Sequence, residues 1–257
     1  MRSARPSAIP DSAHSLKTVS SHRQRPIQVV ITIDGPAGVG KSTAAKLLAK
    51  QLGFIYLDTG ATYRALAYEV LARGVDPRDA REVLRVASSL QLTLKHAPTG
   101  DLTVMLNRRD VTRRIRTEHV TEAAAQIAQH ARVRGAMVRL QRRLARPHSV
   151  VVEGRDTGTV VFPHAPYKFF LTAAPTVRAR RRQMELRRLQ RAVPALPIIA
   201  KQLKQRDRLD RRRRVGPLVK PPGAVVLNTS RLKAAQVVKR MLRYLPLNGL
   251  HGTPNHP

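Results

Sequence analysis

Residues Gly35-Pro36-Ala37-Gly38-Val39-Gly40-Lys41-Ser42 satisfy the pattern G-x-x-x-x-G-K-[ST] without a mismatch, and no other feature of the chain narrows its fold as much. The pattern makes sense only between a buried strand and a helix N-terminus. There the glycines let backbone N–H groups converge on phosphate oxygens, and the helix end adds a positive partial charge. Both flanks are present. Val29-Val30-Ile31-Thr32-Ile33 is a β-branched run suited to a strand buried on both faces. Lys41 opens a helical period with Ala44, Leu47, Leu48 and Leu52 on one face and Gly53 as its stop. The candidate nucleotide-contacting residues are therefore Gly35, Pro36, Ala37, Gly38, Val39, Gly40, Lys41, Ser42 and Thr43. Lys41 suits the β- and γ-phosphates, and the Ser42 hydroxyl suits Mg²⁺.

The chain goes on alternating strand and helix patterns. A strand is expected over 54–57, a helix over 63–73 ended by Gly74, and another begun by Asp76-Pro77. Strands over 90–94 and 102–106 flank Pro98-Thr99-Gly100 as a hairpin. Two helices fill 117–145, and strands follow over 149–152 and 168–171. Arg-rich helices over 175–191 and 198–212 precede a last strand over 224–227 and a helix capped by Ser230 that runs to about Tyr244. Strands separated by helices predict an α/β fold: a three-layer architecture with a mostly parallel sheet covered on both faces. No internal repeat is present.

Composition limits the chemistry. Hydrophobic residues make up 42% and aromatics 4%, with no Trp, so a sizeable core is available and it is aliphatic. Cysteine is absent, which excludes disulfides, thiolate metal sites and cysteine nucleophiles, and fits a reducing compartment such as the cytoplasm. No apolar run approaches the ~20 residues of a membrane helix. The formal charge of +32 in 257 residues fits polyanionic partners, nucleic acid among them, and fits equally an Arg-biased solvated surface. Residues 1–26, rich in Ser, Arg, Pro and His with a single acid, read as a flexible basic tail or as an organellar transit peptide. Residues 246–257 read as a frayed end, which leaves 27–245 as the folded domain.

A phosphate-binding loop alone does not name a reaction. The N-K-x-D signature of guanine recognition is missing, and Val150-Val151-Val152-Glu153 ends in one acid rather than a pair. Other short elements are more specific: Ile33-Asp34 leading the loop, Leu57-Asp58-Thr59-Gly60-Ala61-Thr62-Tyr63-Arg64, Ile115-Arg116-Thr117, Glu153-Gly154-Arg155-Asp156-Thr157-Gly158-Thr159-Val160-Val161-Phe162-Pro163, and Arg206-Asp207 with Asp210 and Arg213. In this order and spacing, from about Val29 to Leu242, the chain resembles the bacterial cytidylate kinases.

The resemblance implies transfer of a phosphoryl group from ATP, with Mg²⁺, to CMP or dCMP, by a monomer. It implies that Thr59, Tyr63 and Arg64 line the acceptor's monophosphate site, that Asp156 and Arg116 read the base, and that Arg155, Arg206 and Arg213 face phosphates. Asp210 would face the ribose, and Asp207 would orient a neighbouring arginine. A carboxylate at Asp156 suits the cytosine amino group, while uracil would set acceptor against acceptor at a cost of about 1–3 kcal/mol. Tyr63 and Arg64 are expected to open a helix whose free N–H groups suit a phosphate. Two insertions are implied: about 65–129, carrying an acceptor-binding hairpin, and a lid at about 175–205. Arg178, Arg181 and Arg182 share a helical face in the lid. The spacing does not choose among them, and Arg181 stands with Lys41 and Arg155 as the catalytic candidates. The four arginines 211–214, Asn228 and the high charge depart from the family pattern. They leave open the alternative of a basic nucleic-acid-binding protein that keeps a P-loop fold, though aromatics for base stacking are scarce.

Overall fold

The computed structural model describes residues 28–96, 102–146, 148–189 and 192–246. The expected N-terminal tail, the turn at 98–100 and nearly all of the C-terminal tail lie outside the described residues. The chain runs β1 (Val30–Asp34), α1 (Lys41–Leu52), β2 (Ile55–Asp58), α2 (Thr59–Ala72), α3 (Ala80–Ser88), β3 (Leu92–His96), β4 (Leu102–Leu106), β5 (Arg109–Asp110), α4 (Glu118–Ile127), α5 (Ala131–Ala145), β6 (Val150–Gly154), β7 (Tyr167–Thr172), α6 (Pro175–Arg188), α7 (Leu196–Arg211), β8 (Val225–Asn228) and α8 (Ala234–Leu242).

Five strands form a parallel sheet in the order β2-β6-β1-β7-β8. The apolar β1 run sits at its centre, with Ile31 and Ile33 fully buried. Helix α1, with Ala44, Ala45 and Leu48, shares that core with Val237, Val238 and Met241 of α8. Leu47, expected on the buried face of α1, is 38% exposed. Strands β3, β4 and β5 form a separate antiparallel sheet. The two-residue β5 gave no periodic signal in the sequence.

Three helix starts differ from expectation, two of them because another aspartate caps the helix. Asp58 accepts from Ala61 N, so α2 begins at Thr59 and Tyr63 and Arg64 fall in its second turn. Asp76 and Pro77 form a turn, while Asp79 caps α3 by accepting from Arg81 N and Glu82 N. Ser230 does not cap α8, whose N-cap is Lys233; the Ser230 hydroxyl instead accepts from Ala174 N ahead of α6.

In a parallel sheet, ligands bind in the crevice beyond the strands' carboxyl ends where the winding reverses. Here β1 connects through α1 towards β2 on one side, while β7 and β8 extend the sheet on the other. The carboxyl ends of β1, β2 and β6 deliver Asp34, Asp58 and Glu153 to one rim, with Asp58 opposite Glu153 and Asp34 opposite Gly154.

Candidate active site

The loop after β1 makes its turn with Gly35, Gly38 and Gly40 all at positive φ. At Gly35 a Cβ would collide with the Leu171 carbonyl of β7, so a side chain is excluded by contact as well as by conformation. The loop is tied down on two sides. Asp34, fully buried, accepts from Thr157 N, Thr157 Oγ1 and Gly158 N at 2.8–2.9 Å. Asp207 of α7 accepts from Ala37 N at 3.1 Å and pairs with Arg178 of α6, which also donates to the Ala37 carbonyl. The expected orienting role of Asp207 thus has a definite partner in Arg178.

One cleft of about 300 Å³ opens over this rim, at the lower end of the ~300–1,000 Å³ usual for ligand sites. Lys41 lies at its floor, 5% exposed, with Nζ donating to the Pro36 carbonyl at 2.8 Å. Burial, then the nearby Arg155 charge, lowers its pKa to about 7. Glu153 stands beside it and accepts from the Tyr56 hydroxyl at 2.7 Å. Burial first, then the Asp58 charge, raises the Glu153 carboxyl above its ordinary value, and a hydrogen bond from Ser42 works the other way. The Ser42 hydroxyl and the Glu153 carboxylate are hard oxygen donors of the kind that suit Mg²⁺, an ion that keeps much of its water. Among the described residues no cluster of three His, Cys, Asp or Glu forms an all-protein metal site.

A phosphate placed against Lys41 would restore its charge. Binding of a nucleoside diphosphate in metal-free buffer is therefore expected to take up a proton above pH 7, and affinity is expected to fall as pH rises through about 7. Calorimetry at pH 8 in buffers of different ionisation heat checks this. Binding without proton exchange would contradict it.

Across the cleft, the sequence-predicted residues converge. Thr59 donates to the Glu153 carbonyl at 2.8 Å, and Arg64 pairs with Asp58 at 2.9 Å. Arg155 donates through Nε to Asp210 at 2.8 Å, and Arg213 pairs with the other Asp210 oxygen. Burial disfavours the Asp210 charge, but Arg155, Arg213 and Arg206 together hold its pKa below the ordinary value. Arg206 lines the cleft and makes no hydrogen bond or ion pair among the described residues. Burial and then Arg155 push its pKa down to about 10. An unpaired, desolvated guanidinium in a cleft is a site awaiting an anion. The Nε atoms of Arg64 and Arg213 are likewise buried without partners.

Both expected base readers, Arg116 and Asp156, line the cleft, and no contact joins them to each other. Arg116 is exposed. The partner of Asp156 is Arg134 of α5, 2% exposed, which binds Asp156 Oδ2 and lies over the Tyr63 ring at 5.7 Å. Asp156 Oδ1 has no hydrogen bond among the described residues, and Arg134 Nε is buried without a partner. Burial pushes the Asp156 carboxyl up against the pull of Arg134, and pushes the Tyr63 hydroxyl up to about 12. Arg134 was hidden in the sequence because it sits in an arginine-rich helical segment where any one arginine passes for a solvated charge.

Two further expectations change. Arg181 is turned away from the cleft: it donates to the carbonyls of Val39, Thr229 and Leu232 and to the Thr229 hydroxyl, bracing the phosphate loop from behind. The lid arginine that lines the cleft is Arg182. Nor do the described residues of β3 and β4 line the cleft. On that side the wall is Arg116 with Thr121, Ala124, Ala125 and Ala128.

The family model described as "Cytidylate kinase" matches residues 31–247. A cytidylate kinase of Oceanobacillus iheyensis is 41% identical over 84% of this chain and 93% of its own length. One of Solibacter usitatus is 46% identical over 84% and 91%. A bifunctional pantoate ligase/cytidylate kinase of a Synechococcus strain is 44% identical over 81% of this chain, which spans only 42% of that protein.

Proposed function

The chain belongs to the cytidylate kinase family, and from that premise we propose that it phosphorylates CMP and dCMP with ATP as donor and Mg²⁺ as cofactor, as a cytoplasmic monomer. The observation that carries the acceptor assignment is the Asp156–Arg134 pair, with Asp156 Oδ1 left open in the same cleft as Lys41. Oδ1 accepts from the cytosine amino group, Arg116, exposed on the cleft wall, donates to the ring nitrogen and carbonyl, and Arg134 holds Asp156 in place. Thr59, Tyr63 and Arg64 take the acceptor's monophosphate; Arg155, Arg206 and Arg213 neutralise the phosphates, and the Asp210 carboxylate holds Arg155 and Arg213 in place while it faces the ribose.

In the transfer step an acceptor phosphate oxygen attacks the γ-phosphorus in line, the bond to the β–γ bridging oxygen breaks, and ADP leaves. Residues 35–43 and Lys41 hold the donor's phosphates, and Arg155 and Arg182 stand where charge develops. Ser42, with Glu153 beside it, would hold Mg²⁺, which supplies charge neutralisation between the phosphates. The lid, about 175–205, closes to exclude water. Its base stays with the core, since Arg178 and Arg181 bind the phosphate loop, so the movement lies beyond Arg182. The reading of a P-loop fold kept only to bind nucleic acid has no comparable support.

A coupled ADP-release assay with ATP, Mg²⁺ and each of CMP, dCMP, UMP, AMP and GMP tests the proposal. Turnover with CMP and dCMP well above the others is expected. Equal turnover with UMP, or none with any acceptor, would overturn it.

A further inference from the structure

The positive charge is not spread evenly. From 123 to 246 the chain holds five carboxylates: Glu153, Asp156, Glu185, Asp207 and Asp210. Four are buried, and Glu185, the exposed one, pairs with Arg182 at 2.9 Å. Exposed acids such as Asp76, Asp79, Asp110, Glu118 and Glu122 all lie earlier in the chain.

Helix α7 concentrates this asymmetry. Its inner face carries Leu203, Asp207 and Asp210, buried, and Arg206, which lines the cleft. Its opposite face presents Lys201, Lys204, Arg208 and Arg211, all exposed and three or four residues apart, with Arg212 following as the C-cap. Among the described residues none of these five makes a side-chain hydrogen bond or ion pair. Basic residues in the last turn answer the helix dipole, which accounts for Arg208 and Arg211. Lys201 and Lys204 stand before that turn and have no such reason to be there.

We propose that this face of α7 is a docking surface for the sugar-phosphate backbone of single-stranded nucleic acid, separate from the cleft. From Lys201 to Arg211 the helix rises about 15 Å, at ~1.5 Å per residue. The four basic side chains spread over that length can neutralise about four phosphates. Residues 175–214 contain no aromatic side chain, so the surface offers no aromatic platform for bases and tracks the backbone without reading sequence. A double-stranded RNA fits poorly, because it is recognised by shape across successive minor grooves, which a stripe about 15 Å long does not span. A lipid surface fits less well too: a helix lying in a membrane buries an apolar face, and here the inner face of α7 is committed to α6 and the cleft.

The test is fluorescence anisotropy with the full chain and a labelled mixed-sequence RNA of about 20 nucleotides, its cleft filled with CMP and a non-hydrolysable ATP analogue. Neutralising about four phosphates gives a log–log salt slope near −3, a ~50-fold loss of affinity between about 50 and 200 mM salt. Reversing the stripe (Lys201→Glu, Lys204→Glu, Arg208→Glu, Arg211→Glu) is expected to flatten the slope towards zero and weaken binding at least tenfold at low salt. The corresponding Gln set should show the same direction, and it serves if the Glu set fails to fold. Reversal of Arg78, Arg81, Arg108 and Arg109, exposed elsewhere, should leave binding nearly intact. The proposal is overturned by equal loss in both reversals, by release when the cleft is filled, or by binding to acidic phospholipid vesicles but not to RNA.

Discussion

Lys41→Met should lower kcat by about 10²–10³, the range for removing one donor aimed at developing charge, or about 2.7–4 kcal/mol, and should do so without lowering stability. Lys41 Nζ lies at the cleft floor with a backbone carbonyl as its hydrogen-bonded partner, and burial already pulls its pKa to about 7. Burial thus disfavours the charged form in the resting protein, against the pull of Glu153 and Asp34, and phosphate oxygens would favour it. Methionine has nearly the same length and volume and needs no hydration. In the ligand-free protein the exchange removes a desolvation penalty, so the unfolding temperature should hold or rise, as at other sites where activity is bought with stability. Single-turnover kinetics and calorimetry on the same preparation give both readings. A kcat within tenfold of the parent would remove Lys41 from the transition state, and a large drop in unfolding temperature would make the kinetic loss uninformative.

How much of this was legible in the sequence depends on whether a residue's role is local. The phosphate loop was readable because strand, glycines, Lys41 and helix follow one another within a few residues, and the physics of the turn demands that order. Thr59, Tyr63 and Arg64 came from the resemblance, and the structure brings all three to the cleft. The start of α2 was misplaced only because Asp58, which caps the helix and also pairs with Arg64, was not recognised as the cap. Roles set by tertiary contact were another matter. Arg134 and Arg116 are both arginines near helix starts. What separates them is that α5 buries one against Tyr63 and Asp156 while the other stays exposed. Arg181 and Arg182 are neighbours, and a helix turns neighbours about 100° apart, so one braces Val39 and Thr229 while the next lines the cleft. Glu153 was visible as an acid ending a strand. Its place beside Ser42 and Tyr56 comes from the β2-β6-β1 strand order, which no local pattern encodes.

Asp156→Asn should move acceptor preference from CMP towards UMP, and the direction follows from Arg134. In the parent, Arg134 holds Asp156 Oδ2 and leaves Oδ1 open to the cleft. A cation as donor forces an amide in that position to turn its oxygen inward, because the alternative sets NH₂ against guanidinium. The asparagine NH₂ group then faces the base. Against cytosine it meets another amino group, donor against donor; against uracil it meets the O4 acceptor. Loss of the match on one side and relief of the clash on the other each amount to about 1–3 kcal/mol, so the ratio of kcat/KM for CMP over UMP should fall at least tenfold. Removing one member of a buried ion pair costs about 3–5 kcal/mol. The retained amide oxygen keeps the hydrogen bond to Arg134 and holds the loss near the lower end, within the ~5–15 kcal/mol a domain has to lose. Asp156→Ala separates the two effects, since it leaves Arg134 with no acceptor and the cytosine amino group with no partner, so CMP turnover should fall without any gain for UMP. If Asp156→Asn kept the parent's preference while remaining folded, base reading would have to lie wholly with Arg116 and other groups on the α4 wall, such as Thr121, and the Asp156–Arg134 pair would be a structural tie between α5 and the loop after β6.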